Sequence, residues 1–120
     1  AKILIKKSKA LEQGTLGADL LSLVALGGDI SLARLLVQDK GVDINSYDEN
    51  GQTPLHSAAE SGQADLCKYL IESGADVNIK SEAGPHVGDA PLDFAYSGNR
   101  DGKGATIKIL RAAGAKSGRD

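Results

Sequence analysis

Aromatic residues are scarce in this sequence, which has no tryptophan, no methionine and only 3% Phe, Trp and Tyr combined. A core with so few rings favours closely packed Ala/Leu helices over a sandwich or barrel. The single cysteine, Cys67, excludes an internal disulfide, and no Cys/His set has zinc-ligand spacing, so we expect no metal and no other cofactor. No apolar run approaches the ~20 residues that a membrane helix needs, and no secretory hydrophobic segment stands out. We therefore expect an intracellular protein, cytoplasmic or nuclear, with no membrane partner.

Basic residues are nearly missing from the middle of the chain. Residues 43–95 hold ten Asp or Glu side chains and only two lysines, Lys68 and Lys80, whereas the net charge of the whole chain is −2. Only the two ends of the chain carry a net positive charge. A nucleic-acid-binding protein needs a continuous basic face. The distribution therefore argues against a nucleic-acid partner.

The most informative stretch runs over residues 51–78, GQTPLHSAAESGQADLCKYLIESGADVN. Thr53 is a good helix N-cap, and Pro54 suits the first helical position, where its missing N–H costs nothing. Leu55, Ala58 and Ala59 form a narrow apolar stripe, and Gly62 predicts the end of a short helix. A second apolar face follows, formed by Leu66, Cys67, Tyr69, Leu70 and Ile71, before a glycine cap at Gly74. Two such thin helices need neighbours of the same kind.

This stretch resembles an ankyrin repeat, whose pattern of roughly 33 residues reads G-x-T-P-L-H-x-A-A-x-x-G, a second helix and then G-A-D-V-N. The resemblance implies an all-α ankyrin-repeat solenoid of three helix-turn-helix repeats joined by short β-hairpin or turn connections. The matching positions are Gly51, Thr53, Pro54, Leu55, His56, Ala58, Ala59, Gly62, Leu70 and residues 74–78.

Two degenerate repeats flank the central one. Residues 18–21, ADLL, stand where TPLH would be, and the distance from Ala18 to Gly41 predicts two inserted residues near Gln38–Lys40. The last repeat begins at Ala90-Pro91-Leu92-Asp93, after an insertion at residues 84–89. We therefore predict one domain over residues 1–120, divided as follows: an N-terminal cap segment 1–17, repeats at 18–50, 51–84 and 85–116, and a tail 117–120.

No catalytic set can be assembled from these residues. In ankyrin repeats the histidine of TPLH bonds the neighbouring turn, so the resemblance implies a structural His56. Cys67 lies on a packed helix face and is expected to be buried. His86 and Asp89 lie in the insertion, but two ligands do not make a metal site. We predict that the protein is not an enzyme.

The resemblance implies a protein-binding module, an adaptor or inhibitor that is a monomer when alone. Ankyrin stacks bind partners on the concave face of hairpin tips and first helices. On this sequence that face is predicted to comprise Tyr47, Asp48, Glu49, Asn50, Ser57, Glu60, Ser61, Gln63, Ser81, Glu82, His86 and Asp89. Two alternatives stay open: a structural fragment of a larger ankyrin-repeat protein, and a small metal-dependent site on the Pro85–Asp89 insertion.

Acidic residues predominate on that predicted face. We expect the insertion to extend one hairpin tip, and five side chains to share a negative field: Asp48, Glu49, Glu60, Glu82 and Asp89. Such a field steers a partner of opposite charge. The hypothesis is a partner segment rich in Lys or Arg. The alternative is that these acids only keep the surface soluble.

Asn78 and Asn45 close the two GADVN-like turns. Their setting is similar to that in which ankyrin-repeat asparagines of animal cells are β-hydroxylated, so the resemblance implies two modification sites. The alternative interpretation is that each asparagine is a hairpin residue that bonds its own backbone.

Overall fold

The structure, a computed structural model, describes residues 16–84, 87–98 and 102–118. These residues form three consecutive helix pairs: α1 (Leu16–Gly27) with α2 (Ile30–Arg34), α3 (Pro54–Glu60) with α4 (Ala64–Glu72), and α5 (Pro91–Ser97) with α6 (Lys103–Ala112). The described part of the chain contains no β-strand and no helix long and apolar enough to cross a membrane. The predicted all-α stack of three repeats is confirmed. The N-terminal segment 1–15, for which a cap was predicted, lies outside the described residues.

The first helices of the three pairs form the centre of the stack, with α3 packed between α1 and α5. Leu55, Ala58 and Ala59 of α3 are all at most 1% exposed, as the stripe predicted. On α4 the buried side chains are Leu66, Cys67 and Leu70, while Tyr69 and Ile71 pack partly buried against the same core. Each helix is too short to be stable alone, so burial between neighbours supplies most of the stability.

The first pair differs by one residue from the predicted register. Leu21 is fully buried, like Leu55, whereas Leu20 is 40% exposed. Gly28 adopts a left-handed φ of 75°, matching Gly62 at 69°. Leu21 is therefore the counterpart of Leu55, and the segment equivalent to TPLH is residues 19–22. The alignment of residues 18–21 with TPLH was wrong because α1 lacks the Thr-Pro start that would mark the position.

The extra length of the first repeat lies inside its second helix. Residues Leu35–Asp39 form a π-helical turn, in which the Lys40 N–H donates to the Leu35 carbonyl at 3.1 Å. With the corrected register the insertion is one residue, where two were predicted near Gln38–Lys40. A π-helical turn absorbs an added residue without ending the helix. The GVDIN turn after it consequently keeps its place in the stack.

Hairpin tips project from the stack between the helix pairs. In the first, the Asp48 N–H donates to the Gln52 carbonyl at 2.8 Å. In the second, the Ser81 N–H donates to the Asp89 carbonyl and the Gly88 N–H to the Ser81 carbonyl, both at 2.9 Å. The paired residues of the second tip, Ser81 and Asp89, are thus eight positions apart in sequence, against four for Asp48 and Gln52 in the first tip. The Glu82 N–H donates to the Gly51 carbonyl at 2.8 Å, which stacks one tip on the other.

Candidate functional site

A cleft of about 430 Å³ lies between α1, the first hairpin tip and α3. We call it the acidic cleft. Its walls are formed by Asp19, Ser22, Leu23, Leu26, Asp48, Glu49, Asn50, Gln52, Ser57 and Glu60. Within the part of the chain that the structure describes, the lining contains four carboxylates and no lysine or arginine. This arrangement suits a ligand that carries positive charge.

Two of the four carboxylates hold the hairpin tip in place. Asp48 Oδ1 accepts the backbone N–H groups of Asn50 and Gln52, at 2.8 and 3.0 Å. Asp19 Oδ1 accepts the N–H of Glu49 at 2.8 Å, which fastens the tip to α1. Glu49 and Glu60 are exposed. Their carboxylates are therefore accessible to a ligand from solvent, on a frame held by the other two.

Five of the predicted partner-binding residues line the acidic cleft: Asp48, Glu49, Asn50, Ser57 and Glu60. Elsewhere, Tyr47 donates its hydroxyl to the Lys80 carbonyl at 2.7 Å and so joins two successive hairpins. Gln63 donates to the Leu26 carbonyl at 3.1 Å, and the Ser61 hydroxyl donates to the Ser57 carbonyl. Glu82 is exposed on the second tip. His86 lies outside the described residues.

Two members of the expected negative field are not exposed. Asp48 is 7% exposed and Asp89 is 3% exposed. Asp48 turns inward because its carboxylate caps the hairpin turn, and Asp89 lies where the second hairpin closes against the ring of His56. Ser57 and Ser81 are also buried. Of the five expected members of the negative field, the exposed ones are Glu49, Glu60 and Glu82.

Half of the cleft was not found from the sequence, namely Asp19, Ser22, Leu23, Leu26 and Gln52. Four of these belong to α1, where the TPLH signal is missing. Comparison of the repeats could have identified one of them. In the corrected register Leu26 is equivalent to Glu60, which the sequence analysis had placed on the concave face. This comparison requires the correct alignment of the first repeat with the second, which only the burial of Leu21 establishes.

His56 is the buried polar residue at the centre of the stack, and its role is structural, as the resemblance implied. Its Nδ1 lies 3.0 Å from the Thr53 backbone nitrogen, and its Nε2 lies 3.0 Å from the Asp89 carbonyl oxygen. The Thr53 N–H needs an acceptor at Nδ1, so the ring is neutral with its proton on Nε2. Burial lowers the pKa of His56, which favours this neutral form. Asp93 replaces the histidine in the third repeat and accepts the Ala90 N–H at 2.9 Å.

An exposed leucine face covers the outer side of the first repeat. It comprises Leu20, Leu23 and Leu32, which are 40, 65 and 46% exposed. Their counterparts in the second repeat are Pro54, Ser57 and Leu66, which are all buried. The positions that are exposed in the first repeat are therefore the ones that are buried in the second.

The remaining chemical candidates do not form a reactive site in the described residues. Burial raises the pKa of the Cys67 thiol to about 12. Within residues 16–84, 87–98 and 102–118, no group of three His, Cys, Asp or Glu side chains is arranged to hold a metal ion. The proposed metal site on the insertion requires Pro85 and His86, which lie outside those ranges.

Paired short helices, glycine-capped turns and stacked hairpin tips define a helical repeat protein of the helix-turn-helix class. A family model for ankyrin repeats, in three copies, matches residues 1–81. The chain belongs to the ankyrin repeat family.

Three proteins illustrate the range of its relatives. Delta-latroinsectotoxin-Lt1a of Latrodectus tredecimguttatus is 41% identical over 68% of this chain and 8% of the toxin. The palmitoyltransferase akr1 of Emericella nidulans is 45% identical over 54% of this chain and 9% of that enzyme. Protein phosphatase 1 regulatory subunit 27 of Mus musculus is 40% identical over 65% of this chain and 47% of the subunit. The chain thus spans less than a tenth of the first two proteins and under half of the third.

Proposed function

We propose that this chain is a non-enzymatic adaptor or inhibitor module that binds a Lys- or Arg-rich protein segment in the acidic cleft. Ankyrin repeats generally mediate protein–protein interaction, and the similarity to a phosphatase regulatory subunit fits that role. The palmitoyltransferase similarity covers only 9% of that enzyme. It therefore gives no support for catalysis by this chain. The setting that we propose is intracellular, with the unbound chain a monomer.

The observation that carries the proposal is the charge of the cleft. Four carboxylates line a cleft of about 430 Å³, and among residues 16–84, 87–98 and 102–118 no basic side chain lines the same walls. Exposed carboxylates attract a basic ligand over a distance, which raises the association rate more than the final affinity. Binding should therefore weaken as salt rises from about 0.05 to 0.5 M, where the Debye length falls from roughly 14 to 4 Å.

The test selects ligands without assuming their identity. Random peptides displayed on phage are selected on the full chain, and the enriched sequences are measured by fluorescence anisotropy. We expect enrichment of Lys and Arg and a slower association for the double variant Glu49→Gln, Glu60→Gln. Asp48 is left unchanged in this variant because its carboxylate holds the turn together.

A matched control removes the same amount of charge outside the cleft. Asp65→Asn with Glu72→Gln serves, since both side chains are exposed on α4 and neither lines the acidic cleft. Selected peptides without basic residues would overturn the proposal. So would salt-independent binding in which both double variants match the wild type.

The exposed leucine face favours a second function, that of a part of a larger ankyrin stack. Leu20, Leu23 and Leu32 occupy positions that a preceding repeat would bury, as their counterparts in the second repeat are buried. The combined change of Leu20 and Leu32 to Ser, which leaves the cleft residue Leu23 in place, distinguishes the two functions. A ligand-binding module should keep its affinity for the selected peptides, whereas a stack segment should lose its contact with a preceding repeat supplied as a separate chain.

A further inference from the structure

The distal face of a repeat, the side that meets the following repeat, comprises His56, Ala59 and Ile71 in the second repeat. The His56 ring binds the Asp89 carbonyl and lies 4.6 Å, centre to centre, from the ring of Phe94 in α5. Ala59 follows His56 by about one helical turn, so both lie on the same side of α3. Ile71 lines a groove between α4 and α6. An alanine, an isoleucine and one neutral ring therefore receive the third repeat.

The third repeat has different residues at these three positions. Asp93, Tyr96 and Arg111 occupy them, as the common Pro-Leu start of α3 and α5 and the matching C-terminal turns of α4 and α6 establish. The first repeat follows the second, with Ala25 and Val37 in place of the alanine and the isoleucine. Arg111 donates to the Tyr96 hydroxyl, and its guanidinium carbon lies 5.7 Å from the centre of the Tyr96 ring. A large ring and a positive charge, both exposed, thus cover the distal face of the third repeat.

The residues that follow the third repeat bind to the same face. The Ser117 hydroxyl and the Gly118 N–H both donate to the Asp93 carboxylate, at 2.6 Å. His56 instead donates its Nε2 proton to the next hairpin, and a carboxylate has no such proton. Gly118 also takes the position of Asn78, whose amide joins the second repeat to the third. Two side chains by which the second repeat binds its successor are therefore replaced in the third.

We propose that the third repeat ends the stack on its distal side, so that a further ankyrin-type repeat is accepted on the leucine face alone. A helix pair stacked on the distal face would collide with the Tyr96 ring, which stands where Ala59 leaves space for a helix. It would also bury the charge of Arg111 against apolar side chains, which is unfavourable. The closed distal face stands on these contacts alone, whereas acceptance on the leucine face rests on the proposed role as part of a larger stack.

The closed face also keeps copies of the chain apart. The leucine face of one copy would otherwise meet a matching distal face on another copy. Head-to-tail contacts of that kind do not form a closed ring by default and can build open-ended filaments. Tyr96 and Arg111 are therefore expected to prevent association that the exposed leucines would otherwise permit.

The first experiment appends a repeat to the full chain. Residues 48–78 are added after Asp120, so that residues 119 and 120 take the places of 46 and 47 and the period of the central repeat is kept. The added copy brings a second thiol, the counterpart of Cys67. A thiol reagent is applied without denaturant, and the number of labels is read from the mass of the intact protein.

The same addition is made to an opened variant, Asp93→His, Tyr96→Ala, Arg111→Ile, which has the distal residues of the second repeat. On the wild-type third repeat we expect one thiol to react rapidly, because the added copy does not pack. On the opened variant both thiols should react slowly. Equal labelling of the two proteins would overturn the closure. Should circular dichroism show the opened variant unfolded, Tyr96→Ala, Arg111→Ile replaces it and keeps the Asp93 contacts.

The second experiment measures association of the opened variant without the added repeat. We expect its mean molar mass in sedimentation equilibrium to rise with concentration above that of the wild type. Adding Leu20→Ser and Leu32→Ser should reverse the rise. Lys108→Ile alone should leave the wild-type mass, because Lys108 occupies the position of Lys68, which is exposed within the stack.

The two experiments separate two failures. If the added copy packs only on the opened face but the opened variant keeps the wild-type mass, the third repeat ends the stack and the role of the leucine face is overturned. Association that survives the two leucine changes would overturn that role as well. Slow labelling of both thiols on the wild-type third repeat would overturn the closure and leave the leucine face unaffected.

Discussion

The side-chain oxygen of Asn45 accepts the backbone N–H of Asp76 at 2.7 Å, across 31 residues of sequence. Its amide nitrogen donates to the Gly74 carbonyl at 3.1 Å. Asn78 binds the third repeat in the same way, through the Lys116 N–H at 2.7 Å and the Gly114 carbonyl at 3.3 Å. Each asparagine thus joins its own repeat to the next one. The interpretation that it bonds its own turn was wrong.

Removing one of these amides should loosen the stack. We expect Asn45→Ala to lower the free energy of unfolding by about 1–3 kcal/mol, because two backbone groups of the next repeat lose their partner. Urea unfolding monitored by circular dichroism provides the measurement. Asn50→Ala is the control, since Asn50 is exposed at a hairpin tip. Equal midpoints for the two variants would show that the amide bonds do not stabilise the stack.

Hydroxylation of Asn45 and Asn78 stays a prediction. Both side chains use their amide groups in contacts with the next repeat, while the residues themselves are half-buried and exposed, respectively. Added oxygen on either residue should be detectable by mass spectrometry of peptides from protein purified from its source. Unmodified asparagine at both positions in that material would remove the hypothesis.

The two central leucines should be the most costly to truncate. Leu55 is 1% exposed and Leu70 fully buried, so Leu55→Ala or Leu70→Ala should lower the free energy of unfolding by about 2–5 kcal/mol. Unfolding should remain a single cooperative transition, since three repeats are coupled to one another. Leu26→Ala is the control, because Leu26 is 46% exposed. If Leu55→Ala or Leu70→Ala kept the wild-type denaturant midpoint, that result would contradict the packing of these leucines in the core.

Acid should destabilise the protein through His56. Burial lowers the pKa of the folded histidine, although backbone hydrogen bonds with Asp89 and Ile79 and the charges of Asp48 and Asp89 raise it. The unfolded histidine titrates at about pH 6.5. Above the pKa of the unfolded histidine, His56 therefore does not reduce the free energy of unfolding. As the pH falls below that pKa, the free energy of unfolding decreases by at most about 1.4 kcal/mol per pH unit.

The measurement is the urea midpoint between about pH 7.5 and pH 5.5, above the range in which ordinary carboxylates titrate. His56→Asn should remove most of the pH dependence in this window, and His86→Gln should keep it. An unchanged pH dependence in His56→Asn would assign the effect to other groups.

Cys67 should report unfolding because it is inert in the folded protein. The thiol is fully buried and burial raises its pKa to about 12, so little thiolate exists at neutral pH. We expect a thiol reagent to label Cys67 only in step with opening of the stack, and Leu70→Ala to accelerate labelling. Rapid labelling of the wild type without denaturant would contradict the burial of this side chain.

The sequence by itself determined the fold and the central repeat. Thr53, Pro54 and Gly62 mark where α3 begins and ends, and the spacing of Leu55, Ala58 and Ala59 indicates which side is buried. Each of these signals lies within a few residues of the element that it specifies. Local sequence is sufficient for such features because caps, turns and helical periodicity are short-range.

Only the tertiary structure decided the register of the first repeat and the composition of the cleft. Burial of Leu21 rather than Leu20 depends on contact with α3, and the inward turn of Asp48 depends on backbone N–H groups around the hairpin. The Asp19 contact with Glu49 spans 30 residues of sequence. No local sequence pattern at either residue predicts this contact. Every residue except proline has a backbone N–H, and only the fold determines which of these groups a carboxylate reaches.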